Sequence, residues 1–281
     1  MRYAEVIGDP IAQSKSPIIH KTWLAKLGID ADYRPAHVGS EDLKPFLEQR
    51  RADPEWCGCN VTIPHKETAA VLVDRVDASA RAIGAVNCIV PEGGDLVGYN
   101  SDVDGVAVAL GSAAIRGRKA AIIGAGGAAR AAVSYLSDRD VGRLVVLARN
   151  PHRAESLEAL LPAQKGLYVF PFEMAKLAVG GATVVVNASP LGMAGAEQMP
   201  EAVLEALALC APGATLFDMV TTPSATQFLA AGAAAGGSPV DGLTMLIGQA
   251  ARAFGLFFGA PAPPPDPKLR DLLTTGRPDL A

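Results

Sequence analysis

Residues 119–133 read KAAIIGAGGAARAAV, and no other stretch restricts the fold as narrowly. A short apolar run ends in Gly124-Ala125-Gly126-Gly127-Ala128-Ala129, and an alanine-rich helical run follows. The pattern is G-x-G-x-x-A set between a strand and a helix, the fingerprint of a dinucleotide-binding βα unit. Gly124 permits the tight turn and Gly126 lets the backbone approach a pyrophosphate. The helix start offers free N–H groups and the positive end of its dipole. A Gly/Ala-rich βα turn without a ligand would carry similar letters, but the flanking strand and helix weigh against that reading.

The next strand selects the nucleotide. A site for NAD usually places Asp or Glu at its end to bind the ribose 2′-hydroxyl. Here the segment reads RLVVLARNPHR, with no acid. Arg149 stands where a 2′-phosphate would lie, and Arg153 follows in the same segment. Arginine suits a dianionic phosphate through charge-assisted hydrogen bonds, so the expected cofactor is NADP. The plainer reading is that both arginines solvate the start of a helix.

The chain has 281 residues, enough for two domains. Hydrophobic residues make up 49% and charged residues 19%, ample for a buried core. The net charge of -4, without blocks of like charge, excludes a nucleic-acid footprint or an acidic-membrane binder. Four cysteines, Cys57, Cys59, Cys88 and Cys210, lack metal-ligand spacing or a histidine cluster. No metal is implied, and the cysteines read as small buried hydrophobes of a reducing compartment. No signal peptide and no run of ~18 uncharged apolar residues is present, so a soluble, cytoplasmic protein is expected.

Strands alternate with helices along the chain, which argues for α/β layering. YAEVIG, ADYRPAHV and CGCNVTI read as strands. SPIIHKTWLAKLG reads as a helix with Ser16 as its N-cap and Pro17 at the first position. AVNCIV and DLVGYN read as a hairpin about Glu92-Gly93-Gly94. The texture changes near residue 111, where the fingerprint unit begins. RLVVLA, LYVF, TVVVN and GATLFDMV bring its strands to five. The expected division is residues 1–110 joined by helices in 242–281, and a nucleotide-binding domain over 111–241.

One lysine stands out. GCNVTIPHKE reads as a strand stopped by Pro64, which suits the first position of a helix and puts Lys66 in its first turn. A cation at that end of the helix dipole is misplaced by roughly 0.3–1 kcal/mol, so surface solvation explains Lys66 poorly. Other polar groups gather at strand ends: Ser14 and Ser16 in SKSP, Asn60 and Thr62, Asn87 in GAVN, Asn100 and Asp102 in NSDVDG. Each alone has a structural reading as a cap or a turn.

Together, in order, SKSP, NVTIPHK, GAVN, NSDVDG, GAGGA, NASPLGM, DMV and GLTMLIGQA closely resemble the shikimate dehydrogenase family, over residues 3 to about 259. The resemblance implies an α/β protein of two domains, an N-terminal substrate domain and a Rossmann-type NADP-binding domain, with a cleft between them. It implies reversible reduction of 3-dehydroshikimate to shikimate, on the route to chorismate and the aromatic amino acids. Lys66 and Asp102 are the implied catalytic pair. Ser14 and Ser16 would hold the substrate carboxylate, and Asn60, Thr62, Asn87 and Gln249 the ring hydroxyls or carboxylate. Gly124, Gly126, Gly127, Ala128, Ala129, Arg130, Arg149, Asn150, Arg153, Met219 and Gly242 would line the cofactor. Small molecules are the implied partners, with neither nucleic acid nor membrane, in a monomer or homodimer.

An ammonium at the carbonyl oxygen would stabilise the charge formed during reduction and donate the proton. The helix start disfavours the lysine's charge and Asp102 favours it. Five residues depart from the family pattern. Cys88 and Ser101 replace threonines, Thr221 stands where a substrate-facing Tyr follows DMV, and Phe257-Phe258 replaces a Trp. They keep open a quinate/shikimate or aminoshikimate dehydrogenase. A non-catalytic NADP-binding sensor would have lost Lys66 or Asp102.

Overall fold

The computed structural model describes residues 1–264 and 266–275, apart from the Arg153 side chain. The chain folds as β1 (Arg2–Gly8), α1 (Ser16–Leu27), β2 (Ala31–His37), α2 (Leu43–Arg51), β3 (Trp56–Val61), α3 (Lys66–Leu72), β4 (Arg75–Val76) and α4 (Ala78–Ile83). β5 (Cys88–Glu92), β6 (Asp95–Tyr99), α5 (Asp102–Leu110), β7 (Lys119–Ile123), α6 (Gly127–Asp138), β8 (Arg143–Leu147), α7 (Pro151–Glu158) and β9 (Leu167–Phe170) follow. The remainder is α8 (Ala175–Val179), β10 (Val184–Asn187), α9 (Glu201–Ala206), β11 (Thr215–Asp218), α10 (Gln227–Ala234), β12 (Ser238–Val240), α11 (Gly242–Phe258) and α12 (Pro267–Thr275). Two compact units result, one of Met1–Asp102 with the chain from Gln249 onward, the other Val103–Gly248. No helix among the described residues is long and apolar enough to cross a membrane.

The first unit holds a mixed six-stranded sheet, ordered β2-β1-β3-β5-β6-β4. β1 runs parallel to β2 and β3, while β5 is antiparallel to both β3 and β6. The β5–β6 hairpin turns at Gly93-Gly94, where its glycines place it. Side chains alternate between the two faces of a strand. On one face Tyr3, Ile7, Cys59 and Val61 pack with Leu43, Leu47, Val86 and Ile89. Glu5 shares that face, buried but paired with Arg50 at 2.7 Å and Arg34 at 3.4 Å, so its charge is compensated. On the other face lie Ala4 and Val6 of β1 with their register partners Tyr33 and Asn60. Gly58 admits no side chain, since a Cβ there would lie 2.4 Å from the Ile89 carbonyl and 2.8 Å from the Phe257 ring.

Two helix starts differ from the sequence expectation. Lys15 holds the cap position of α1 with no side-chain capping bond to the helix, and its own backbone is already helical (φ -85°, ψ -9°). Ser16 therefore falls inside the helix, and Ser14 Oγ accepts from the Ser16 N–H at 3.3 Å. α3 likewise begins at Lys66 with His65 at the cap, leaving Pro64 ahead of the helix rather than at its first position. Lys66 is still in the first turn.

The second unit is a parallel sheet ordered β12-β11-β10-β7-β8-β9. Strand order reverses between β7 and β10, which puts a ligand crevice at the carboxyl ends of those strands. Both unit folds bear out the α/β class and the Rossmann winding read from the sequence. The sixth strand, β12, was not legible: it has three residues, one of them Pro239. The core gathers Ile123, Val145, Leu147, Val185, Leu216 and Phe228.

An aromatic group covers the Tyr33 face of the first sheet. The His20 ring of α1 stacks on Tyr33, with centroids 4.0 Å apart and planes within 3°, and Trp23, Phe254, Phe257 and Phe258 surround it. Both His20 ring nitrogens are buried without a hydrogen-bond partner among the described residues, and burial pushes the imidazole down to about 3. The folded chain therefore keeps His20 neutral where the unfolded chain protonates it. Stability tied to this group is complete above pH 6.5 and is lost as pH falls from there toward 3. His20→Phe is expected to flatten the acid limb of a urea-derived stability curve by up to ~1.4 kcal/mol per pH unit below 6.5. Equal slopes for the two proteins would refute this.

Candidate active site

Lys66 opens α3 and Asp102 opens α5, and their side chains meet, Lys66 Nζ donating to Asp102 Oδ2 at 2.6 Å. The lysine side chain is 24% exposed and the aspartate 5%. At the start of α5 the Asp102 carboxylate sits where a helix dipole favours negative charge, whereas Lys66 sits where its own helix disfavours positive charge. The ion pair compensates the second placement. Among the described residues Lys66 makes no other side-chain hydrogen bond, which leaves two of its three N–H donors for a ligand.

A network of amides fixes the carboxylate. Asn87 Nδ2 donates to Asp102 Oδ1 at 2.8 Å, and Asn87 Oδ1 accepts the Ser101 N–H at 2.8 Å. Asn100 Oδ1 accepts the Asp102 N–H at 2.9 Å, and its Nδ2 donates to the Ala85 carbonyl at 2.9 Å. Asn60 Nδ2 donates to the Asn87 carbonyl at 3.3 Å. Asn60 Oδ1 accepts from the Tyr33 hydroxyl at 2.7 Å. Asn60, Lys66, Asn87 and Asp102 are thus one connected set, while Ser14 and Ser16 are joined to each other through the Ser16 N–H and Ser14 Oγ. Thr62 is half-buried just past β3, its N–H donating to Ile7 at 3.0 Å.

Gln249 is half-buried on α11, and no hydrogen bond ties it to that set among the described residues. Thr221 follows β11 in the second unit. Ser101 keeps a hydroxyl at its position, which bonds Asn87 Nδ2 at 3.2 Å. Cys88 is fully buried and burial pushes its thiol up, so the change there from threonine alters the core.

The fingerprint forms a cradle in the second unit. Gly124 adopts φ +104°, and a Cβ there would press within 3.0 Å of the Ala188 carbonyl. Only glycine accepts both conditions. Gly126 caps the twelve-residue α6 and Gly127 begins it, and a Cβ on either would meet nothing within 4 Å. Ala128, Ala129 and Arg130 continue the first turn of α6. A cavity of about 660 Å³ opens here, bounded by Gly124, Gly126, Arg149, Asn150, Ser189 and Glu197, among others. Open backbone at a helix start beside an arginine fits a dinucleotide phosphate.

Arg149 is not idle: it forms an ion pair with Glu197 across the cavity wall, both side chains about two-thirds exposed at 68% and 67%. Asn150 caps α7, accepting the His152 N–H at 3.1 Å. The Arg153 side chain lies outside the described structure. Met219 is fixed through its N–H to the Asn187 carbonyl at 2.9 Å. Beside it Asp218 is buried; desolvation pushes its carboxyl up, against donors from Thr226, Val220 and Asn187. Gly242 would place a Cβ 2.4 Å from the Val220 carbonyl, so it is a close-approach glycine. Sequence reasoning did not single out Tyr33, Glu197 or Asn187 by role. Only a tyrosine in a strand facing an asparagine two strands away could have flagged the first.

Three family descriptions match the chain. "Shikimate dehydrogenase substrate binding domain" covers residues 6–89, "Shikimate / quinate 5-dehydrogenase" 108–203, and "Shikimate 5'-dehydrogenase C-terminal domain" 242–266. A shikimate dehydrogenase (NADP(+)) of Sphingopyxis alaskensis is 45% identical over 273 residues, 96% of each chain. A shikimate 5-dehydrogenase structure from Thermus thermophilus, in complex with NADP(H) and shikimate, superposes with a TM-score of 0.81 at 33% identity over 98% of both chains. One from Listeria monocytogenes, in complex with shikimate and NAD, gives 0.86 at 26% identity over 97% of this chain and 96% of that one.

Asn87 is the hinge of the polar set, since its one amide satisfies both a buried carboxylate oxygen and a buried backbone N–H. Asn87→Ala is expected to lower the urea-derived unfolding free energy by roughly 1–3 kcal/mol, the cost of leaving such groups unpaired. A loss under half a kcal/mol would show that water replaces the amide.

Proposed function

The chain belongs to the shikimate dehydrogenase family, and we propose that the NADP-dependent interconversion of 3-dehydroshikimate and shikimate, which this membership assigns to it, runs through Lys66 and Asp102. The observation that carries this is the 2.6 Å pair with its amide support. Bound NADP(H) supplies or accepts the hydride. Lys66 donates the proton to the substrate oxygen on reduction and takes it back on oxidation, while its positive charge stabilises the oxygen as charge develops. Asp102 aims the amine, and Asn87 aims Asp102. Neither has to move, because the donor is already held before substrate arrives.

Substrate placement falls to neutral groups. Ser14 and Ser16 stand at the start of α1, whose N–H groups and dipole favour a carboxylate. Asn60, Thr62, Asn87 and Gln249 are offered for the remaining polar groups, and Thr221 is a substrate-binding candidate by its place in the family motif. NADP is held by the cradle of Gly124, Gly126 and Gly127 with Ala128, Ala129 and Arg130. Arg149 and Asn150, with Met219 and Gly242, complete its surroundings. All four cysteines are free thiols, which fits a cytoplasmic setting.

The test is spectrophotometric: shikimate or quinate is offered with NADP⁺ or NAD⁺. Rapid NADPH formation from shikimate is expected, and Lys66→Ala should lower kcat roughly 10²–10⁴-fold with NADP⁺ binding retained. Full turnover in the variant would remove Lys66 from the chemistry. Turnover of quinate in place of shikimate would assign the chain to the quinate branch of the family and direct attention to Thr221.

The cofactor arm has its own test. For Arg149 to meet a 2′-phosphate it must release Glu197. An exposed ion pair is worth ~0.2–1 kcal/mol, so Glu197→Gln is expected to tighten NADP⁺ up to about fivefold and leave NAD⁺ unchanged, by calorimetric titration. Equal effects on both nucleotides would place Arg149 away from the 2′-position.

A further inference from the structure

We propose that Tyr33 is a positioning residue for the substrate, fixing the orientation of the Asn60 amide that receives a ring oxygen; this rests on the functional reading above. Tyr33 is fully buried, so it touches no ligand itself. Asn60, its polar partner, is only half-buried and stands at the ligand side.

The geometry follows from register. Tyr33 pairs with Ala4 and Asn60 with Val6. Residues two apart on a strand point to one face, so both side chains rise on the same face of the sheet with β1 between them. Strands lie ~4.8 Å apart, which puts the β2 and β3 backbones roughly 9–10 Å apart. A phenol reaches across that gap, and its hydroxyl meets Asn60 Oδ1 at 2.7 Å. The ring cannot swing away, since His20 stacks on it at 4.0 Å and Phe257 lies 6.3 Å off.

The consequence is a choice of amide orientation. The two ends of an Asn side chain are nearly equal in shape and differ only in hydrogen-bonding character. A phenol O–H aimed at one end makes that end the oxygen. The Asn60 Nδ2 is thereby turned to the Asn87 carbonyl at 3.3 Å, with one N–H left to donate to a substrate oxygen. Tyr33 thus sets the Asn60 donor for a ring oxygen before substrate binds.

Tyr33→Phe keeps the ring, the stack on His20 and the packing, and removes only the oxygen. The expected result is a shikimate KM raised roughly 5–20-fold, kcat within threefold of wild type and the NADP⁺ KM unchanged. A double-mutant cycle separates positioning from mere packing. In an Asn60→Ala background Tyr33→Phe should add less than half of its single-variant effect, because the amide it orients is gone. An unchanged shikimate KM in Tyr33→Phe, or effects of the two substitutions that simply multiply, would overturn the proposal. Wild-type turnover of shikimate, measured in the same series, tests the functional reading separately.

Discussion

An ammonium at the start of a helix is the constraint around which the first unit is arranged. Lys66 lies at the electropositive end of α3, where its charge is unwelcome, and it is three-quarters shielded from solvent. It persists because Asp102 meets it from the start of another helix, where negative charge is welcome. That carboxylate would in turn be costly to bury without donors, and Asn87 supplies one. Asn87 is itself held by Ser101 and tied to Asn60 through its carbonyl. Each member is satisfied only if the next is in place, so the polar set has one arrangement.

The two ligand surfaces use different chemistry. In the first unit the donors are mostly neutral side chains that the sheet delivers at the ends of β1 and β3. In the second they are backbone groups exposed by glycines, with an arginine at the rim. Neutral donors tell apart the positions of hydroxyls around a small ring, and exposed backbone accepts any pyrophosphate. In the proposed reading, selectivity for the nucleotide falls to the arginine at the rim.

What the sequence made legible was local. The strand-turn-helix of the fingerprint, the Gly93-Gly94 turn and the Arg149 position all lie within short windows, where spacing reports geometry directly. The lone lysine after Pro64 was visible as an anomaly, but its partner stands 36 residues on, and only family resemblance named it. Ser16 was misplaced as a cap because one residue of helical backbone at Lys15 moves the whole motif, and no propensity resolves one residue. β12 was missed because three residues carry no period. Tyr33 facing Asn60, and Glu197 facing Arg149, depend on strand order and loop path, which composition does not encode.

The Arg149–Glu197 pair has a bearing on ionic strength. A bare arginine at the mouth of a phosphate site loses attraction for its dianion as salt rises, because mobile ions screen the charge. With Arg149 receiving the phosphate as proposed, salt screens two interactions at once: its attraction for the incoming phosphate and its attraction for Glu197. Binding would exchange one for the other, so part of the screening would cancel. On that proposal the acid that weakens cofactor binding in dilute buffer also buffers it against changes in salt, trading peak affinity for constancy.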